Sequence, residues 1–235
     1  MIDSGSTASR TPGPAAPVAG AKSRIFIVDD HTMFREGMKQ LIDREPDLTV
    51  CGDAADVAEA LRSIPELKPD LVIVDLSLAG SPGLDLIKTL RAQYTHLPVL
   101  VVSMHEESLY AERVLRAGAS GYITKHQGPG EVVEAVRRVL GGEVYVSDKM
   151  ASEFLRSFST GGPKSTPHSV DRLTDRELAV LELIGKGRTT REIAATLKLG
   201  VATIDTYRAR IKEKMNFNNA AELLHFAIRW VRDRE

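Results

Sequence analysis

Short apolar runs and longer amphipathic stretches alternate five times between residues 24 and 140. The apolar runs are RIFIV (24–28), LTVCG (48–52), LVIVD (71–75), PVLVVS (98–103) and GYIT (121–124), mostly rich in β-branched side chains. Runs of this length and composition predict strands buried on both faces, as in a parallel sheet covered by helices. Between them, HTMFREGMKQLIDR (31–44) brings Met33 or Phe34, Met38, Leu41 and Ile42 onto one helical face. Helices are likewise expected over 53–64, 83–92, 108–117 and 129–140. Five β-then-α units predict an α/β domain with right-handed crossovers and helices on both faces of its sheet.

Past residue 142 the pattern changes. EVYVSDKMASEFLRSF (143–158) carries a partial stripe of Met150, Phe154, Leu155 and Phe158 and predicts one short helix. STGGPKSTPHSVD (159–171) has the Gly, Pro, Ser and Thr content of a flexible linker. A purely helical pattern follows. LTDRELAVLELIGKG opens with a capping box, Thr174 with Glu177, and a hydrophobic staple, Leu173 with Leu178. Gly185 and Gly187 supply the stop. TTREIAATLKLG repeats the box with Thr189 and Glu192 and turns Ile193 and Leu197 inward. VATIDTYRARIKEKM and NAAELLHFAIRWV complete four helices, and the second and third, joined by a tight glycine turn, have a helix-turn-helix layout. The chain divides into a tail (1–22), an α/β domain (23–142), a linker with a short helix (143–171) and an all-α domain (172–235).

Composition excludes some classes. At 235 residues with 43% hydrophobic and 27% charged side chains, the chain is an ordinary globular one. No apolar run approaches the roughly 18 residues of a membrane span. The first 22 residues are small and polar, with no apolar signal-peptide core, and predict a disordered tail. The single cysteine, Cys51, follows Val50 in an apolar strand and reads as a buried structural thiol, consistent with a reducing cytoplasm. Charge is unevenly placed. Residues 22–150 hold 15 Lys/Arg against 20 Asp/Glu, a net of −5, whereas residues 151–235 hold 15 against 11, a net of +4. An acidic front half and a basic back half suggest two jobs, the second involving a polyanion.

The chemistry collects at the carboxyl ends of the strands, where open α/β sheets bind ligands. The first strand ends in Asp29 and Asp30, the third in Asp75, the fourth in Ser103, and the fifth reaches Lys125. A lone acid at a strand end is usually just solvated; five such groups at matching ends are not. Clustered carboxylates repel until a cation arrives, and an all-oxygen site suits a hard ion such as Mg2+. With the metal bound, Asp75 can attack a phosphoryl group to give an aspartyl phosphate. The metal, the Lys125 ammonium and the Ser103 hydroxyl would neutralise its oxygens.

These motifs, VDDH (28–31), VDLSLAGSPGLDLI (74–87), VLVVSMHEE (99–107) and AGASGYITK (117–125), resemble the receiver domain of bacterial two-component response regulators over residues 23–142. The resemblance implies a flavodoxin-like (βα)5 fold. It also implies direct Mg2+ ligation by Asp30, Asp75 and the backbone carbonyl of Ser77, with Asp29 acting mainly through water, and phosphate supplied by a sensor histidine kinase. A switch in which Ser103 moves toward the phosphate and Tyr122 follows inward is implied too; from the residues alone, Tyr122 is equally an ordinary strand aromatic. Some positions depart from the family pattern. Ala79 stands where Pro is frequent, His126 follows the lysine, and His105 lies where the family tunes dephosphorylation, either orienting a water or simply solvated.

In the third helix of the back domain, Ile204, Tyr207, Ile211 and Met215 cluster on one side at 100° per residue. Asp205, Thr206, Ala209, Arg210 and Glu213 project the other way, with Arg208, Lys212 and Lys214 along the margins. A helix with small and polar residues outside and cations at its edges can enter a major groove, though a solvated amphipathic helix reads the same from charge alone. LTDRE, GKGRTTREIA, ATIDTYRARIKEKM and AAELLHFAI resemble the LuxR-type helix-turn-helix over 172–231, and with the receiver they place the chain with the NarL/FixJ family of response regulators. The resemblance implies base reading by Asp205, Thr206 and Ala209. Phosphate contacts are expected from Arg208, Arg210, Lys212 and Lys214, with Tyr207 either on the backbone or in the core. Asp205 departs from the lysine common there, and can accept a bond from cytosine N4. Gly200 and Ala202 replace residues that are often Ser and Lys, removing one backbone contact.

The expected function is phosphorylation-dependent binding to double-stranded DNA as a homodimer, without membrane association. Three alternatives remain at this point. A phosphatase-type enzyme would need an acid two residues after Asp75, where Ser77 stands. The back domain could instead bind protein, or bind DNA independently of phosphate.

Overall fold

The computed structural model describes residues 22–78, 83–159 and 170–232. The expected tail, part of the linker, and Ala79 and Pro82 lie outside the described residues.

Five strands form the first domain: β1 (Ser23–Val28), β2 (Leu48–Ala54), β3 (Leu71–Val74), β4 (Val99–Ser103) and β5 (Gly121–Thr124). They pair in the order β2-β1-β3-β4-β5, all parallel. Five helices alternate with them: α1 (Thr32–Asp43), α2 (Val57–Leu67), α3 (Gly83–Gln93), α4 (Glu107–Arg116) and α5 (Pro129–Leu140). The two-residue period of the strands explains both faces. Ile25 and Ile27 join Met38 and Ile42 of α1 and Val132 and Val136 of α5, whereas Phe26 and Val28 join Ile64 of α2, Ile87 of α3 and Tyr110 of α4. Every β3 side chain is buried.

The largest boundary error falls after β2. The expected helix at 53–64 begins later, because Asp53 and Ala54 continue the strand beside Ile27 and Val28, and Asp56 caps α2 by accepting the Glu59 amide at 2.8 Å. The register of β1 on β2 shifts between Ile25 and Phe26, which pair with Val50 and Gly52 and leave Cys51 between them. Cys51 is therefore half-buried rather than buried. Its thiol donates toward the Ile25 carbonyl, and burial raises its pKa.

The expected short helix is present as α6 (Asp148–Ser159), packed near α4. Met150 is buried, but Leu155 points to solvent and Phe158 lies outside the described side chains, so the stripe is only partly used. The second domain holds α7 (Asp175–Gly185), α8 (Thr190–Thr196), α9 (Val201–Met215) and α10 (Ala220–Arg232). Both capping boxes form, at Thr174/Glu177 and Thr189/Glu192. Gly185 allows the closest approach in this bundle: a Cβ there would lie 2.5 Å from the Ala227 carbonyl oxygen of α10. The α8–α9 turn is not made by glycine as expected. Gly200 has φ −73°, and Lys198 takes the left-handed conformation at φ 54°. Among the described residues, no helix is long and apolar enough to cross a membrane.

Candidate functional site

Sheet hydrogen bonding carries the strand ends into one place. The Asp29 amide donates to Ala54, the Asp75 amide to Val28 and the Lys125 amide to Ser103. Asp29 (1% exposed), Asp75 (2%) and Ser103 (0%) are buried at this edge. Lys125 reaches in from β5, its ammonium 2.5 Å from Asp29 Oδ2, 2.9 Å from Asp75 Oδ2 and 4.2 Å above the Phe34 ring. Gly83 holds the near wall, since a Cβ would fall 2.2 Å from the Asp75 carbonyl. Nothing in the sequence pattern singled this glycine out.

Ligand-capable atoms of Asp29, Asp30, His31 and Asp75 all lie within 4.8 Å of one another. The hydrogen bonding distinguishes them. Asp29 spends both oxygens, Oδ1 on the His31 amide at 2.8 Å and Oδ2 on Lys125. Asp30 Oδ1 and Asp75 Oδ1 are buried and make no hydrogen bond among the described residues. His31 Nδ1 lies 2.8 Å from Asp30 Oδ1 without making one. Three carboxylates gathered in a low-dielectric cluster, with Asp75 Oδ1 making no hydrogen bond, are costly unless cations compensate them. The all-oxygen chemistry of these carboxylates fits a hard divalent ion, which Asp29, Asp30 and Asp75 together could hold.

Tyr122 is fully buried rather than half-buried, and its hydroxyl donates to the His105 carbonyl at 2.9 Å. Burial pushes its pKa well above the ordinary tyrosine value. His105 is neither solvated nor free to orient a water. Its Nε2 is 3.0 Å from Ser77 Oγ, its Nδ1 is 3.1 Å from Glu182 Oε2 of α7, and the ring stacks on Tyr110 at 4.5 Å. A carboxylate only accepts, so Nδ1 carries a proton.

That contact belongs to a junction that sequence pattern did not reveal. Arg113 of α4 pairs with Asp175 at 2.8 Å and donates to the Leu173 carbonyl. Arg176 donates to the Leu78 carbonyl at 2.7 Å, and Lys198 lies 3.1 Å from Asp30 Oδ2. The helical domain is docked on the rim of the acid cluster. Burial raises the Glu182 carboxyl, but the His105 hydrogen bond and charge, with help from Lys186, outweigh it and hold the group below its ordinary value. Asp175 is held above the ordinary value by burial, against the Arg113 charge.

On α9, Ile204, Ile211 and Met215 are buried and Tyr207 half-buried, as the period required. Asp205, Thr206, Ala209 and Arg210 are exposed together, with Arg208 and Lys212 half-buried beside them. Two groups are already engaged. Thr206 Oγ1 donates to the Ala202 carbonyl at 2.9 Å, and Lys214 Nζ pairs with buried Glu177 at 2.7 Å, tying α9 to α7.

Two sequence profiles match: "Response regulator receiver domain" over residues 25–137 and "Bacterial regulatory proteins, luxR family" over 171–227. The response regulator GacA of Pseudomonas viridiflava is 34% identical over 207 residues, covering 88% of this chain and 95% of its own. The oxygen regulatory protein NreC of Staphylococcus aureus is 32% identical over 210 residues, covering 88% and 97%. Among solved structures, a LuxR-family two-component response regulator from Aurantimonas sp. SI85-9A1 is 37% identical with a TM-score of 0.55, covering 59% of this chain and 99% of that one. RcsB from Salmonella enterica serovar Typhimurium, solved on promoter P1flhDC with BeF3-, shares the fold at 24% identity and a TM-score of 0.56, covering 88% and 98%.

Proposed function

Because this chain belongs to the NarL/FixJ family of response regulators, with a receiver and a LuxR-type DNA-binding domain, we propose that it is a transcription regulator switched by phosphorylation at Asp75. The phosphoryl donor is a phosphohistidine on a sensor histidine kinase, and the phosphorylated protein binds double-stranded DNA as a dimer. The observation that carries this reading is the acid cluster itself: Asp29, Asp30 and Asp75 converge at the strand ends, with the Lys125 ammonium beside Asp75 and with Asp75 Oδ1 buried and making no hydrogen bond.

Asp75 supplies the nucleophile from one carboxylate oxygen and keeps the other for the metal; as the side chain stands, Oδ2 is held by Lys125 and Oδ1 makes no hydrogen bond. Attack forms the P–O bond as the P–N bond to the kinase imidazole breaks; that nitrogen keeps the electron pair and is protonated from solvent. Bound Mg2+ supplies positive charge to the phosphoryl oxygens. Asp30, Asp75 and the Ser77 carbonyl would hold it. Lys125 turns from the carboxylates toward a phosphoryl oxygen, and the Ser103 hydroxyl donates to another. Ser103, moving toward the phosphate, and the buried Tyr122 beside it form the switch pair. The family reading makes the chain a regulator rather than an enzyme with a turning-over substrate. Intact-mass analysis after acetyl phosphate and Mg2+ tests the site: one phosphoryl group is expected on the wild type and none on Asp75→Asn or after EDTA. Equal labelling of Asp75→Asn would overturn the assignment.

On DNA, Asp205, Thr206 and Ala209 face the bases, and Arg208, Arg210 and Lys212 hold phosphates, with Tyr207 beside them. Lys214 joins them only by giving up Glu177. One observation favours a second reading: Asp205, Thr206, Ala209 and Arg210 stay exposed while the domains are docked. Docking does not cover the reading face. Phosphate control therefore acts by freeing the domain to pair on two half-sites, and the alternative is DNA binding independent of phosphate. Comparing affinity for one half-site with that for two separates these readings.

A further inference from the structure

The contact between Lys198 and Asp30 joins the two halves of the chain at the atom group the metal needs. Lys198 Nζ lies 3.1 Å from Asp30 Oδ2, 168 residues away, and Asp30 Oδ1 is buried, with only the His31 Nδ1 ring nitrogen, at 2.8 Å, noted against it. The lysine sits at φ 54° in the α8–α9 turn, a left-handed conformation that is strained for an L-residue and that glycine would adopt freely. A cationic side chain held in a glycine position, aimed at the one acid of the cluster that Lys125 does not reach, is a specific arrangement.

We propose that Lys198 is a tethered stand-in for the metal ion. In the docked state its ammonium supplies part of the positive charge that Asp30 lacks. Divalent metal and the docked helical domain thus oppose each other before any phosphate arrives. This rests on the reading of the acid cluster as a divalent-metal site.

Asp29, Asp30 and Asp75 bring three carboxylates, and Lys125 answers only Asp29 and Asp75. Asp30 receives its cation from Lys198, with the half-exposed His31 ring near Oδ1. A divalent ion on Oδ1 and an ammonium on Oδ2 draw on the same charge and repel each other, so each weakens the other. Linkage makes the effect reciprocal: the factor by which docking weakens metal binding equals the factor by which metal weakens docking. The Lys198 side chain is 60% exposed and Asp30 8%. A pair with one solvated partner acts modestly, which sets the expected factor at about 2- to 5-fold.

Neighbouring contacts decide what the opposition does. Arg176 grips the Leu78 carbonyl and Glu182 reaches Ser77 through His105, both on the loop that follows Asp75. Three output-domain side chains thus hold the rim of the cluster, and the metal site meets one of them directly. Metal alone loosens the domains slightly, and phosphorylation completes the separation.

The test is calorimetric titration of the unphosphorylated full-length chain with MgCl2, comparing the wild type with Lys198→Gly and Lys198→Gln. Lys198→Gly keeps the turn without strain, and circular dichroism checks both folds. The variants are expected to bind Mg2+ about 2- to 5-fold more tightly. In the wild type, Mg2+ is also expected to raise amide hydrogen exchange along α7, an effect reduced in the variants. Equal Mg2+ affinities in all three chains would overturn the stand-in role while leaving the metal site in place. Absence of Mg2+ binding in every chain, with Asp30→Asn as the matching blank, would overturn the metal reading and this proposal together.

Discussion

Replacing Glu182 by Gln should loosen the domain junction without disturbing either domain. The carboxylate is 4% exposed and divides its oxygens: Oε1 on Lys186 at 2.7 Å within α7, and Oε2 on His105 Nδ1 at 3.1 Å across the junction. The Lys186 pair survives when the domains part, so only the His105 contact counts toward docking. A charge-assisted hydrogen bond contributes roughly 1.5–3 kcal/mol and a neutral one roughly 0.5–1.5. The amide keeps the shape and loses the charge, so docking weakens by about 1 kcal/mol, a factor of about 5 in the open-to-docked ratio. The same carboxyl sets a pH dependence. Its docked-state pKa is depressed below the ordinary value of 4.5, so its contribution is full above that value and is lost as pH falls through the depressed one. Glu182→Gln removes that acid limb. Spin labels at exposed positions 112 and 220, on a Cys51→Ser background, report the docked and open populations as two distances. An unchanged distance distribution at neutral pH, or an acid limb that persists in Glu182→Gln, would refute the reasoning.

Other substitutions separate fold from function in the DNA-binding half. Lys212→Ala should weaken DNA binding uniformly across sequences and reduce the salt slope by about 1, with melting temperature unchanged. Lys214→Ala should instead destabilise the helical domain by about 1–3 kcal/mol in denaturant titration, because it leaves buried Glu177 without its cation. Gly185→Ala should cost about 1–3 kcal/mol in the same measurement, since the new methyl meets the Ala227 carbonyl and Val231 side chain at 2.5 Å. Asp205→Ala should relax preference at one base pair, by roughly 1–3 kcal/mol in competition binding, while leaving the salt slope alone.

The receiver fold was legible because its signals are local and repeated. LVIV in β3 is apolar at every position and is buried at every position, and four of the five strands carry the five functional groups at their ends in sequence order. The capping boxes at Thr174 and Thr189 were legible for the same reason. The α2 start was misread because Asp53 and Ala54 look polar and small, and only pairing with Ile27 and Val28 makes them strand. Turn chemistry at 197–200 was misread because glycine was present but lysine took the left-handed position. The junction was illegible altogether. His105 with Glu182, Arg113 with Asp175 and Lys198 with Asp30 are unlike residues 77, 62 and 168 positions apart, and no periodicity links them. Strand-end position alone does not separate the three acids; the family resemblance assigns them different parts, and their hydrogen bonding differs as well: Asp29 uses both oxygens, Asp75 Oδ1 makes no hydrogen bond, and Asp30 Oδ1 lies against the His31 ring.

The central claim is that Asp75 governs what the LuxR-type domain does on DNA. Its most direct test is recovery of genomic DNA fragments by the full-length protein, with acetyl phosphate and Mg2+ and without them, beside Asp75→Asn. The account expects a shared inverted repeat recovered mainly from the phosphorylated wild type and at the basal level from Asp75→Asn. Equal recovery of the same repeat with and without the phosphoryl donor would contradict it, leaving DNA binding in place and removing phosphate as its gate.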